Sequence, residues 1–167
     1  MTNRRKIFFD TMCVNAYLAM QHQYHAIAMV VVSNPTRYEV AISTSVFAEL
    51  STTLLESNDA LNLLRSRFTC VQPTVDDGIL ALRLRKLVDN LDHDSLGVWV
   101  GQRNIRKPSP FDLQYLAVAS RYGSSVFVTD DQGLQQLAKV ATTNQLVTPG
   151  DIVSLSELPT ELGVLGL

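Results

Sequence analysis

The sequence predicts an α/β fold: a parallel sheet covered on both faces by helices. Three observations carry this expectation. Short apolar runs rich in aromatic and β-branched residues, such as Ile7-Phe8-Phe9 and Val126-Phe127-Val128, alternate with longer segments of helical periodicity. Apolar residues make up 46% and charged residues 18%, the balance of a folded domain. The 167 residues are enough to bury one substantial core. Alternating strands and helices in a chain of this size fit a layered architecture. In such a sheet, ligands gather at the carboxyl ends of the strands, where the strand order reverses.

Each element follows from local signals. Lys6–Asp10 reads as a strand that ends in an acid. Thr11 to about Val32 reads as one or two helices, closed by Ser33-Asn34-Pro35. Glu39–Ser43 is a second strand. Ser45–Glu56 is expected to be a helix, with Val46, Phe47, Leu50 and Leu54 on one face. Asn58-Asp59 opens another helix through Leu64. Phe68–Val71 is a third strand, stopped before Pro73, and Thr74–Leu91 is an amphipathic helix. Residues 92–108 are the least regular part. Ser109–Tyr122 is a helix closed by Gly123. Ser125–Val128 is a fourth strand, followed by a helix over about Gln132–Val140. Leu146-Val147, ahead of Pro149-Gly150, is expected to be a short fifth strand. With no internal repeat and no linker, the whole chain, 1–167, reads as a single domain with a core over about 6–150 and a C-terminal extension over 151–167.

Several function classes are disfavoured. No run approaches the roughly 18 apolar residues of a membrane span. The basic start, Arg4-Arg5-Lys6, is followed by an apolar run that Asp10 interrupts, so no export signal is read and a cytoplasmic location is expected. Cys13 and Cys70 make no disulfide framework or zinc spacing and read as packing residues. The net charge of −2 conceals an asymmetry. Residues 61–107 hold eight of the 14 basic residues and five acids, a balance of +3 against −5 elsewhere. This suits a polyanion gripped beside an acidic site, although charge alone favours a solvated face. Within that stretch Trp99 stands near Arg103, Arg106 and Lys107. An aromatic beside cations can stack a base and hold phosphates, or simply anchor a loop. His22 and His25 read as surface or boundary residues.

Four acids occupy informative places. Asp10 directly follows the first strand, and Asp131 follows the fourth. Each suits either a helix N-cap or a site on the rim of the sheet. Ser109-Pro110-Phe111-Asp112 has the form of a capping box. Yet at about 100° per residue Asp112 falls within the apolar arc set by Phe111, Tyr115, Leu116 and Ala119, where a charge needs a partner. Glu49 lies at the margin of its helix's apolar face. Carboxylates gathered together repel one another unless cations are present, and Mg²⁺ and Mn²⁺ favour such oxygen ligands.

The segments Ile7-Phe8-Phe9-Asp10-Thr11, Ile42-Ser43-Thr44-Ser45-Val46-Phe47-Ala48-Glu49-Leu50, Ser109-Pro110-Phe111-Asp112-Leu113-Gln114-Tyr115-Leu116-Ala117-Val118-Ala119 and Val126-Phe127-Val128-Thr129-Asp130-Asp131 together resemble the PIN-domain ribonucleases. The likeness is to the VapC-type toxins of toxin–antitoxin pairs in particular. The acids follow one another at 39, 63 and 19 residues, an order and spacing similar to the family's, over about residues 6–150. The resemblance implies a three-layer α/β/α PIN-like domain with a central parallel sheet of about five strands. It implies hydrolysis of RNA phosphodiester bonds with one or two Mg²⁺ or Mn²⁺ ions, by in-line attack of water. Asp10, Glu49, Asp112 and Asp131 match the family's acidic metal positions, and Thr129 matches a supporting hydroxyl, with Asp130 as a secondary candidate. A small antitoxin, whose tail occupies the active-site groove, and homodimer formation are implied in the same way. Two departures stand out: Met12 where the family often has Asn, and Gly133-Leu134 where it often has an acid and an aromatic. They keep open an alternative, a PIN-like RNA-binding or scaffolding module with little or no catalysis.

Overall fold

A computed structural model describes residues 4–50, 58–94 and 107–163. Trp99, Arg103 and Arg106, with the rest of the expected RNA-binding segment apart from Lys107, lie outside the described residues.

Five parallel strands form one sheet: β1 (Arg5–Phe9), β2 (Tyr38–Ser43), β3 (Thr69–Val71), β4 (Val126–Val128) and β5 (Asp151–Val153), in the order β3-β2-β1-β4-β5. The order reverses between β1 and β4, and the register sets Phe9 beside both Ile42 and Val128. Ile7, Phe8 and Phe9 are wholly buried, as are Val126, Phe127 and Val128. This is why the two central strands read as unbroken apolar runs and not as alternating ones.

Helices cover both faces. They are α1 (Thr11–Leu18), α2 (His25–Val32), α3 (Val46–Glu49), α4 (Asn58–Arg67), α5 (Val75–Asp94), α6 (Pro110–Tyr122), α7 (Gln132–Thr143) and the single turn α8 (Leu158–Glu161). The expected α/β class and layered sheet are present, and α1 and α2 pack against each other as two separate helices.

Two element boundaries differ from expectation. The helix expected over 45–56 leaves helical geometry at Leu50, whose ψ is 136°, and residues 51–57 lie outside the described residues. The fifth strand is not Leu146-Val147. Gln145 adopts a φ of +58° and Leu146 donates its N–H back to the Ala141 carbonyl at 2.9 Å, so the end of α7 claims the group a ladder would need. The strand forms after Gly150, with Asp151 N–H donating to Ser125 O at 2.9 Å. Gly150 has a φ of +81°, and a Cβ there would meet the Ser125 carbonyl oxygen at 2.3 Å. Residues assigned to the C-terminal extension therefore supply an edge of the sheet, and the sheet core reaches past residue 150.

Candidate functional site

The crevice at the carboxyl ends of β1 and β4 is where an open α/β sheet binds ligands. Asp10 is the first residue beyond β1. Its N–H donates to Val128 O at 3.2 Å, and its carboxylate Oδ1 caps α1 by accepting from Cys13 N–H at 2.9 Å. It is 3% exposed. Burial pushes its pKa up to about 6, against the hydrogen bonds of Thr129 and Cys13, and the charge of Asp130 adds to the rise. Among the described residues no Lys or Arg forms an ion pair with it.

Glu49 closes α3 beyond the carboxyl end of β2. Its Oε2 accepts from the hydroxyl of Thr11, the residue after Asp10, at 2.5 Å, and also from the Tyr115 hydroxyl. The two hydroxyls lie 2.8 Å apart. Tyr115 is 1% exposed. Burial and then the hydrogen bond to Glu49 raise its pKa well above the ordinary value, so it remains a proton donor to that carboxylate. Helical periodicity places Tyr115 on the apolar face of α6 and assigns it no role. The available signal is the phenol itself, which takes a hydrogen-bond partner when buried.

Asp112 lies one turn before Tyr115 on α6. It meets both expectations: it is 7% exposed, and it completes the capping box. Its Oδ2 accepts from Ser109 N–H at 2.6 Å, while Ser109 Oγ accepts from Asp112 N–H at 3.2 Å. Its charge reaches the Tyr115 hydroxyl. Ser45, ahead of α3, hydrogen-bonds Gln114 and ties α3 to the start of α6.

After β4, Thr129 is fully buried. Asp131 is half-buried and caps α7, its Oδ1 accepting from Leu134 N–H at 2.9 Å and its own N–H donating to Thr129 Oγ1 at 3.1 Å. Asp130 accepts from Leu155 N–H at 2.9 Å. The charge of Asp130 is felt at Asp10. Lys107 is exposed, just ahead of α6. His25 Nδ1 meets the Ala16 carbonyl at 3.1 Å and belongs to helix packing.

The structure thus brings Asp10 together with Thr129, and Glu49 with Thr11 and Tyr115, along one rim. Each of the four acids is engaged by a cap or a hydroxyl. Among the described residues no three of His, Cys, Asp and Glu form a group that could hold a metal ion. The donor chemistry nonetheless suits a hard divalent cation, because Asp10 is a buried carboxyl with no cationic ion-pair partner among those residues. Mg²⁺ is commonly held by one or two carboxylates, with water and phosphate oxygens completing its shell. The buried carboxyl of Asp10 and the hydroxyl-held carboxylate of Glu49 fit that mode of binding.

No protein-family model matches the sequence, and no curated protein sequence does. Among the described residues no helix is long and apolar enough to cross a membrane. Solved structures do match. One is a chain in the crystal structure of VapBC2 from Rickettsia felis bound to a DNA fragment from their promoter, with a TM-score of 0.53, 14% identity, and coverage of 89% of this chain and 98% of that one. Another is a chain in the crystal structure of DNA-bound VapBC from Salmonella typhimurium, with a TM-score of 0.52, 16% identity, and coverage of 90% and 98%. The chain has the fold of these two VapBC chains over nearly their whole length.

Proposed function

We propose that the protein is a divalent-metal-dependent endoribonuclease of the PIN type, the toxin of a toxin–antitoxin pair. The observation that carries this reading is Asp10: a buried carboxyl without a cationic ion-pair partner among the described residues, at the β1/β4 crevice, within a fold shared with two VapBC chains. Asp10 and Glu49 would hold Mg²⁺ or Mn²⁺, with Asp112 and Asp131 as further carboxylates of the same rim. The ion, when bound, supplies water activation and charge neutralisation at the phosphate.

The chain's own residues do the positioning. Thr129 and the Cys13 N–H fix Asp10. Tyr115 and Thr11 occupy Oε2 of Glu49, so their hydrogen bonds hold that side chain in one orientation. The capping interactions immobilise Asp112 and Asp131 at the starts of their helices. In the metal-free protein Asp10 takes up a proton near pH 6, so proton and metal compete for it and the metal concentration needed for cleavage should rise as pH falls through that value.

The test is cleavage of single-stranded RNA by the purified protein in Mg²⁺, Mn²⁺ or EDTA, with Asp10→Asn beside it. Cleavage that needs the metal and is lost in the variant supports the reading, and metal-independent cleavage refutes it. A second reading, an RNA-binding module without turnover, is favoured by the dispersed carboxylates and by Met12, which is 48% exposed and brings no hydrogen-bonding group next to Thr11. RNA binding without metal-dependent cleavage would select it.

A further inference from the structure

Beside the carboxylate rim lies an open cleft of about 450 Å³, the size of a small-molecule site. Its walls come from four separate stretches: Met12 at the start of α1, the connection between α1 and α2, the turn after β4 with the start of α7, and the segment after β5. His22, Tyr24, Asp130, Gln132, Gln135 and Glu157 give it its chemistry. Asp130 joins it to the crevice, because that carboxylate faces the cleft and its charge is felt at Asp10.

Several of these groups are held in place. Glu157 Oε2 accepts from both the N–H and the hydroxyl of Ser154 at 2.8 Å, and these bonds keep the carboxyl below its ordinary range. Asp130 is held by Leu155 N–H, and Gln135 donates to the Thr129 carbonyl at 2.6 Å. His22 Nδ1 accepts from Tyr24 N–H at 3.2 Å, which leaves Nε2 as the donor of the neutral ring. The His22 and Tyr24 rings are 5.9 Å apart and tilted by 53°, so they form a notch and not a closed stack. Tyr24 rests on the core, which makes it a fixed platform.

No Lys or Arg is among the residues lining the cleft, and two carboxyl side chains, Asp130 and Glu157, are. A phosphate is repelled there. A flat, uncharged group that offers N–H donors on one edge is accepted, stacked on an aromatic ring and hydrogen-bonded to carboxylate and amide oxygens. We propose that the cleft is a nucleobase subsite, taking from an RNA strand that crosses the Asp10 crevice one base that carries an amino group: guanine, adenine or cytosine. Uracil, with carbonyls on both sides of its single N–H, faces the carboxylates with like-charged oxygen atoms. The proposal rests on the ribonuclease reading and specifies which bases the strand presents beside the cut.

The test uses the full chain, isotopically labelled, in EDTA, so that neither metal nor turnover enters. Adenosine, cytidine, guanosine and uridine are titrated and the backbone amide signals followed. The first three should shift the signals of residues 22–24, 130–135 and 154–157, with uridine binding about fivefold more weakly. Glu157→Gln, at an exposed position, should bring cytidine and uridine within about twofold of each other. Uridine binding as well as cytidine, or no nucleoside shifting these signals, overturns the proposal. So does arginine amide shifting them where no nucleoside does, since the cleft would then take a cationic protein side chain. Base-selective binding in a protein that cleaves no RNA leaves the subsite standing and removes the nuclease. Metal-dependent cleavage without nucleoside binding does the reverse.

Discussion

Asp10 and Asp77 are both closed off from solvent, at 3% and 2% exposure, and their electrostatic surroundings are opposite. Asp77 accepts from Thr74 N–H at 2.7 Å and from the Thr74 hydroxyl at 2.9 Å. Arg121 Nε lies 2.9 and 3.0 Å from its two oxygens. Arg121 also donates to the Gln72 carbonyl, so one guanidinium ties α6 to the start of α5. Burial raises the Asp77 pKa, but Arg121 and Thr74 outweigh it and the net shift is downward. Asp10 has donors too, yet no ion pair with a Lys or Arg among the described residues, and its pKa rises to about 6. The same residue type at the same burial is stapled in one place and left charge-uncompensated in the other. The difference sets Asp77 apart as architecture and is the ground on which Asp10 is proposed as a ligand position.

The largest expected effect falls on the uncompensated side. Asp10→Asn should reduce metal-dependent RNA cleavage by more than about 100-fold, measured on a labelled oligonucleotide at saturating Mn²⁺. Retained cleavage would erase the contrast between the two aspartates. Next comes the stapled side. Arg121→Met leaves Asp77 buried without its cation and should cost about 2 kcal/mol at pH 7, less than a fully buried pair would because the guanidinium is 40% exposed. Urea unfolding checks this. Because the Asp77 pKa is depressed when folded, its contribution is present above the unfolded value of 3.8 and disappears as pH falls through the folded value.

Asp10 has the opposite sign. Folding binds its proton more tightly, so the wild-type protein loses stability as pH rises from about 4 to about 6. Asp10→Asn, which keeps a competent N-cap, should therefore be about 1–2 kcal/mol more stable than wild type at pH 8 in EDTA, and no more stable at pH 4. Equal stability at both pH values would show that the carboxylate is compensated after all. The smallest effect is that of Tyr115→Phe, which removes one hydroxyl from Glu49. Mg²⁺ affinity by calorimetry should fall about tenfold, with under about 1.5 kcal/mol lost from the fold. An unchanged affinity would confine Tyr115 to packing.

How much the sequence discloses depends on the range of the signal. Ile7-Phe8-Phe9 and Val126-Phe127-Val128 announce the central strands because both faces of each are buried. Those two runs alone suffice to put Asp10 and Asp131 at strand ends. Asp112 carries two valid signals, a capping box and an inward position, and both are realised. The Tyr115–Glu49–Thr11 cluster is hidden, since it joins residues up to 104 positions apart and a tyrosine ring satisfies the apolar periodicity of α6 whether or not its hydroxyl has a role. The end of α7 departs from expectation for a related reason. Leu146-Val147 has strand composition, but its first N–H is spent on the helix, and nothing local to the sequence records that.

The absent side chain of Gly150 has a reach beyond its own turn. With nothing between its backbone and Ser125, the chain can fasten in succession from Asp151 to Ser125, from Val153 to Thr129 and from Leu155 to Asp130. The last fastening fixes an acid that overlooks both the crevice and the cleft. Any methyl group at residue 150 would push against the first and slacken those that follow. The aim of one carboxylate in the working end of the molecule is thus governed by a position that brings no chemistry of its own.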